Sequence, residues 1–93
     1  MADGLMQVED ITATIMGRLY NAILFNDSDH SMDEVEYQII QAIHCDLGRA
    51  HAIMMSAHRS GQAVVISGGR ERCEHVCSVL ERISLRTAIE EAI

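Results

Sequence analysis

The sequence predicts an α+β fold, one small three-stranded sheet covered by three helices, in the chain order β-α-α-β-α-β. Three observations predict it. Short alternating or wholly apolar runs at residues 19–25, 62–67 and 84–90 are separated by stretches with helical spacing of apolar residues. Helix start and stop signals stand where those stretches begin and end. A chain of 93 residues has room for a single core, so sheet and helices must share it.

Residues 1–18 are the hardest to place. Leu5, Val8, Ile11 and Ile15 would suit one helix face, yet Ile11-Thr12-Ala13-Thr14-Ile15 is β-branched and alternates. The expectation is an N-terminal arm over 1–18 and a core domain over 19–93. Residues 19–25 alternate Leu19, Asn21, Ile23, Phe25 against Tyr20, Ala22, Leu24, which reads as a strand central enough to be apolar on both faces. It runs into six polar residues, Asn26-Asp27-Ser28-Asp29-His30-Ser31. Ser31 followed three residues later by Glu34 is a capping box. A helix over 32–44 follows, burying Val35, Ile39, Ala42 and Ile43. Asp46 caps a second helix over 47–60, and Gly61 supplies the left-handed residue that stops it. Ala63-Val64-Val65-Ile66 reads as a buried strand, and Gly68-Gly69 as a turn. The third helix, 70–83, places Cys73, Val76, Cys77, Leu80 and Ile83 on one stripe. The last strand is expected over 84–90, with Leu85, Thr87 and Ile89 on one face.

Composition narrows the function. Apolar residues are 48% of the chain but only Tyr20, Phe25 and Tyr37 are aromatic, so aliphatic side chains must fill the core. Seven basic residues face fourteen acidic ones, a net charge of −7. Nucleic acids and anionic membranes both need a basic face, so neither is expected as a partner. A cationic ligand suits such a charge better. No apolar stretch approaches the roughly 20 residues that span a bilayer, and Met1-Ala2-Asp3-Gly4 does not read as a signal peptide. Three cysteines are an odd number, read as reduced thiols of a cytoplasmic protein.

Two features carry chemistry. The loop over 26–31 concentrates an amide, two carboxylates, two hydroxyls and an imidazole, although such clusters also make ordinary turns. Met54 and His58 stand at i and i+4 on one helical face, with Ala57 beside them. A helical Met is commonly core filler, and a single His is commonly a surface residue. Cys73, His75 and Cys77 cannot chelate together on a helix, because i+2 points away from i and i+4. Ser67-Gly68-Gly69-Arg70 lacks the lysine and spacing of a phosphate loop.

Taken together these segments resemble the Clp protease adaptor family ClpS. The likeness covers residues 20–91 and runs without a gap from Tyr20 through the third helix. The family's apolar strand followed by Asn-Asp-Asp-Tyr-Thr-Pro-Met corresponds to Ile23-Leu24-Phe25-Asn26-Asp27-Ser28-Asp29-His30-Ser31-Met32, with the Asn-to-Met spacing kept. The family's Met, three residues, His, two residues, Gly is matched by Met54, His58 and Gly61. Its final strand is matched by Leu85-Arg86-Thr87-Ala88-Ile89-Glu90.

The resemblance implies an antiparallel sheet and a bacterial, cytoplasmic, non-enzymatic adaptor, monomeric and without a cofactor. Such adaptors bind peptides whose first residue is Leu, Phe, Tyr or Trp, the N-degrons of the N-end rule, and pass them to the AAA+ unfoldase ClpA for degradation. By resemblance Asn26, Asp27, Ser28 and His58 surround the α-amino group, with His58 a neutral acceptor. His30, Met32, Val35, Met54, Ala57 and Leu85 form the hydrophobic pocket. Glu71 matches an acidic residue of the unfoldase-docking face. Departures are concentrated at the site. Ser28 stands where a second Asp is usual, which weakens ammonium capture because charge-assisted bonds are about twice as strong as neutral ones. His30 and Ser31 replace Thr and Pro, Ala57 replaces a larger aliphatic, and Val76 stands where the docking face has Lys.

Two other readings are open on the residues. The fold is kept as a docking or scaffold module, with a drifted pocket that binds an AAA+ N-domain or another partner without N-degron recognition. Alternatively Asp27, Asp29, His30 and His58 hold a divalent metal in an enzyme, although no fixed-spacing motif such as H-E-x-x-H is present.

Overall fold

The structure is a computed structural model and describes residues 18–92. All of the N-terminal arm expected over 1–18 except Arg18 lies outside the described residues. The elements are β1 (Tyr20–Phe25), α1 (Met32–Ile43), α2 (Leu47–Ser60), β2 (Gln62–Gly68), α3 (Arg70–Glu81) and β3 (Thr87–Glu91). The three strands form one antiparallel sheet in the order β2-β1-β3. The α+β class and the order β-α-α-β-α-β are those the sequence predicts.

β1 is the middle strand, as its two-sided apolar pattern requires. Ala22, Ile23 and Leu24 are all buried. Ala22 and Leu24 meet Val35 and Ile39 of α1, Ile53 and Ala57 of α2, and Cys73, Val76 and Leu80 of α3 in one core. Each of the first two helices is started by a local signal. Ser31 Oγ accepts from the Glu34 backbone N–H at 3.2 Å, and the Glu34 carboxylate accepts from the Ser31 N–H at 2.8 Å, completing the capping box. Asp46 accepts from the Arg49 N–H at 2.8 Å and starts α2. Gly61, at φ 89°, ends it in the left-handed region, its N–H donating to the Ala57 carbonyl.

Several boundaries differ from the sequence reading, each for a physical reason. α1 stops at Ile43, because His44 takes the left-handed cap position at φ 56°; Ile43 is half-buried rather than buried. α3 stops at Glu81, two residues early. The N–H groups of Arg82 and Ser84 reach back only three residues, to Val79 and Glu81, and Ser84 turns left-handed at φ 66°. The last strand therefore starts at Thr87 instead of Ser84. The apolar run in β2 is not buried throughout: Val64 is 48% exposed, since the helices cover one face of the sheet. Pairing steps from Ala22–Ile66 to Ile23–Val64, leaving Val65 as the extra residue of a bulge. Gly68 belongs to β2, opposite Tyr20, so the turn contracts to Gly69.

Two polar side chains are buried between helices. Gln38 of α1 donates to the Val79 carbonyl of α3 at 2.6 Å, and Glu36 of α1 pairs with His51 of α2 at 2.5 Å. The Cys73 and Cys77 sulfurs face the carbonyls of Tyr20 and Ala88, at 3.5 and 3.7 Å, within the core stripe. Among the described residues no helix is long and apolar enough to cross a membrane. Truncating a buried hydrogen-bonding side chain costs about 1–3 kcal/mol. Gln38→Ala should lower the unfolding free energy by that amount in urea denaturation, with the slope of the transition unchanged.

Candidate functional site

The site is built where β1 ends against the end of α2. The Phe25 N–H donates to the Arg86 carbonyl at 3.1 Å, extending the β3 side of the sheet by one bond. The next N–H, of Asn26, turns the other way and donates to the Gly61 carbonyl at 2.9 Å. That bond seats the start of the polar loop on the last turn of α2, where His58 stands three residues before Gly61. The capping box then fixes the far end of the loop, so residues 26–31 are anchored at both ends.

Beneath this junction lies a cavity of about 170 Å³. Its apolar wall comes from Met32 and Val35 of α1 and from Met54 and Ala57 of α2. Its polar wall comes from Asn26, Asp27, His30 and His58. Leu24 and Phe25 complete the lining. Sequence reasoning did not assign these two to the site, although their place at the end of the strand that feeds the loop was the available signal. Met32 is half exposed at the cavity's outer side, whereas Val35, Met54 and Ala57 are buried.

Two residues expected at the site lie elsewhere. Ser28 is exposed in the loop and does not line the cavity. Leu85 is 2% exposed and packs into the main core instead of the cavity wall. On α3, Glu71 is exposed in the first turn, and Val76 is buried in the core. Among the described residues no three His, Cys, Asp or Glu side chains are grouped to hold a metal ion; Asp27, Asp29, His30 and His58 do not form one.

The polar wall has an internal contact that composition alone does not announce. His30 Nδ1 lies 2.7 Å from Asp27 Oδ2, and the His30 backbone N–H donates to the same oxygen at 2.8 Å. Burial alone would push the Asp27 carboxyl up, but the hydrogen bonds from the ring and backbone of His30 outweigh it and hold the group below the ordinary carboxylate value. The same ring bond raises His30 above the ordinary imidazole value, against some desolvation, with smaller help from the charges of Asp27 and Glu34 and from the Ile83 backbone. Near the cavity the Arg86 guanidinium stands 5.6 Å from the centre of the Phe25 ring.

Comparisons with known proteins agree with this architecture. The sequence model of one family, described as ATP-dependent Clp protease adaptor protein ClpS, matches residues 16–88. The human E3 ubiquitin-protein ligase UBR1 is 33% identical over 55 residues, which is 59% of this chain and 3% of that ligase. The chain thus spans a very small part of the ligase's length. Among solved structures, Agrobacterium tumefaciens ClpS2 bound to L-phenylalaninamide has the same fold, with a TM-score of 0.75 and 24% identity, over 80% of this chain and 96% of that one.

The Asp27–His30 contact makes a pH-dependent prediction. A raised imidazole pKa stabilises the folded arrangement at low pH, and the contribution is lost as pH rises through the folded value. A depressed carboxyl pKa contributes at high pH, and its contribution is lost as pH falls through the folded value. The ion pair is therefore complete between the two. In an NMR titration the His30 ring should have its midpoint above about 6.5, and Asp27→Asn should move that midpoint down. A midpoint indifferent to Asp27→Asn would show that the contact does not hold in solution.

Proposed function

We propose that this chain, which belongs to the ClpS family of ATP-dependent Clp protease adaptor proteins, captures polypeptides by a free, bulky hydrophobic first residue (Leu, Phe, Tyr or Trp) and delivers them to a Clp AAA+ unfoldase. The observation that carries the reading is a cavity lined both by apolar side chains and by the hydrogen-bonding side chains of Asn26, Asp27, His30 and His58. An engineered apolar cavity of about 150 Å³ holds a benzene ring, so the 170 Å³ found here suits one large side chain. Burying such a side chain contributes roughly 1.5–3 kcal/mol. The ligand bound to Agrobacterium ClpS2, L-phenylalaninamide, is a single aromatic residue with an unblocked amino group, and this supports the same class of ligand here.

The chemistry of the polar wall explains why the residue would have to be first. An α-amino group, with pKa near 7.7–8.0, is mostly a cation at neutral pH and brings three N–H donors. Taken out of water, each donor needs an acceptor. The Asn26 side-chain carbonyl and a neutral His58 ring supply two. An internal residue, or an acetylated first residue, offers one amide N–H and no charge, and leaves those acceptors unsatisfied. Asp27, which also lines this wall, adds a carboxylate beside them. On the delivery side, exposed Glu71 supports docking through the start of α3.

A second reading is favoured by one observation. Ser28, at the position matching the family's second Asp, is exposed and does not line the cavity, as a drifted pocket requires. The chain would then be a ClpS-fold docking module for an AAA+ N-domain or another partner. If none of the twenty first residues binds while a stable complex with an AAA+ N-domain forms, this second reading replaces the first.

A peptide beginning with Phe should bind measurably in fluorescence anisotropy, and its N-acetylated twin should not. Asn26→Ala or His58→Ala should abolish binding. Equal binding of the free and acetylated peptides would overturn the ammonium mechanism.

A further inference from the structure

The cavity wall contains a titratable pair, Asp27 and His30, of which His30 is not used in the capture of an amino group. One Asp27 carboxylate oxygen receives both the ring and the backbone N–H of His30, at 2.7 and 2.8 Å. The ring is 18% exposed and borders the cavity. It is thus held to the loop after β1.

We infer that His30, held by Asp27, is a specificity-determining residue of this pocket: as an imidazolium it favours first residues that carry an aromatic ring over aliphatic ones, and as a neutral imidazole it does not. The inference rests on the reading of the cavity as the seat of the first side chain. An imidazolium donates a charge-assisted bond to the Asp27 carboxylate. A neutral ring makes only the weaker neutral bond. The charged ring is therefore a fixed wall and the neutral ring a loose one. A cation beside an aromatic face is attracted by the ring's quadrupole, which an aliphatic side chain lacks.

The surrounding charges set the direction. Asp27 in the loop and Glu34 in the first turn of α1 both favour the charged ring. His58 on α2 lines the same cavity. Arg86, over Phe25, is the other cation beside the cavity. Because Asp27 offsets much of the imidazolium charge, the selectivity gain is that of a partly screened contact, about two- to fivefold.

The test uses the full chain and two peptides that differ only in a first residue of Phe or Leu. Their dissociation constants are measured across about pH 5 to pH 8, the range in which histidines titrate. Both peptides carry the same amino group and meet the same polar wall, so those contributions cancel in the ratio. The preference for Phe should grow by about two- to fivefold as pH falls through the His30 titration. In His30→Gln it should be independent of pH. In Asp27→Asn the step should move to lower pH, because the carboxylate that favours the charged ring is gone. Binding of both peptides with a pH-independent ratio in the unaltered chain overturns this inference alone, as does a step that survives His30→Gln. Failure of both peptides to bind at any pH overturns the reading of the cavity and this inference with it.

Discussion

The bond from the Asn26 N–H to the Gly61 carbonyl holds the candidate site together. Everything polar at the cavity is local to one side of it or the other. On one side β1 releases its chain into a loop of side chains with hydrogen-bonding capacity. On the other, α2 ends in a turn carrying His58. Neither element could fix the other through side-chain packing alone, because this junction lies at the surface and its residues are exposed. A main-chain bond has no rotamer to lose, so the registry it imposes is tighter than that of a side-chain contact. The glycine matters here for its geometry: at φ 89° it is the residue that ends α2 and turns its carbonyl toward β1.

Charge and burial divide the work at the cavity. A chain with a net charge of −7 favours cations in its neighbourhood over a range of about a Debye length. That general field cannot choose one cation from another. A few acceptors lining a cavity can discriminate further, because a misplaced donor there remains unsatisfied. One oxygen of the Asp27 carboxylate is already occupied by His30.

What could be read directly from the sequence was short in range. Ser31 and Glu34, Asp46, Gly61 and the pair Met54–His58 all act within one helical turn, and the structure has the caps and the shared helix face where spacing puts them. The middle position of β1 was legible because burial on both faces leaves no polar alternation. Features set by distant partners were not legible. Leu85 carries the apolar character of a pocket residue, but the left-handed Ser84 before it delivers it to the main core. Val64 is as apolar as its neighbours and is exposed only because the helices lie on the other face. The Gln38–Val79 bond joins residues 41 apart. The Asp27–His30 contact is local, yet it depends on a loop conformation that has no periodicity to betray it.

The placement of the ends of the sheet has a further consequence. Leu19 and Ala92 are bonded to each other, main chain to main chain, at the end of β1 remote from Asn26. Six strand residues at about 3.3 Å each put roughly 20 Å between that end and the cavity. Leu19 and Ala92 thus share one end of the sheet, remote from the cavity. A fluorophore or surface tether attached at Ala92 would stand clear of the hollow.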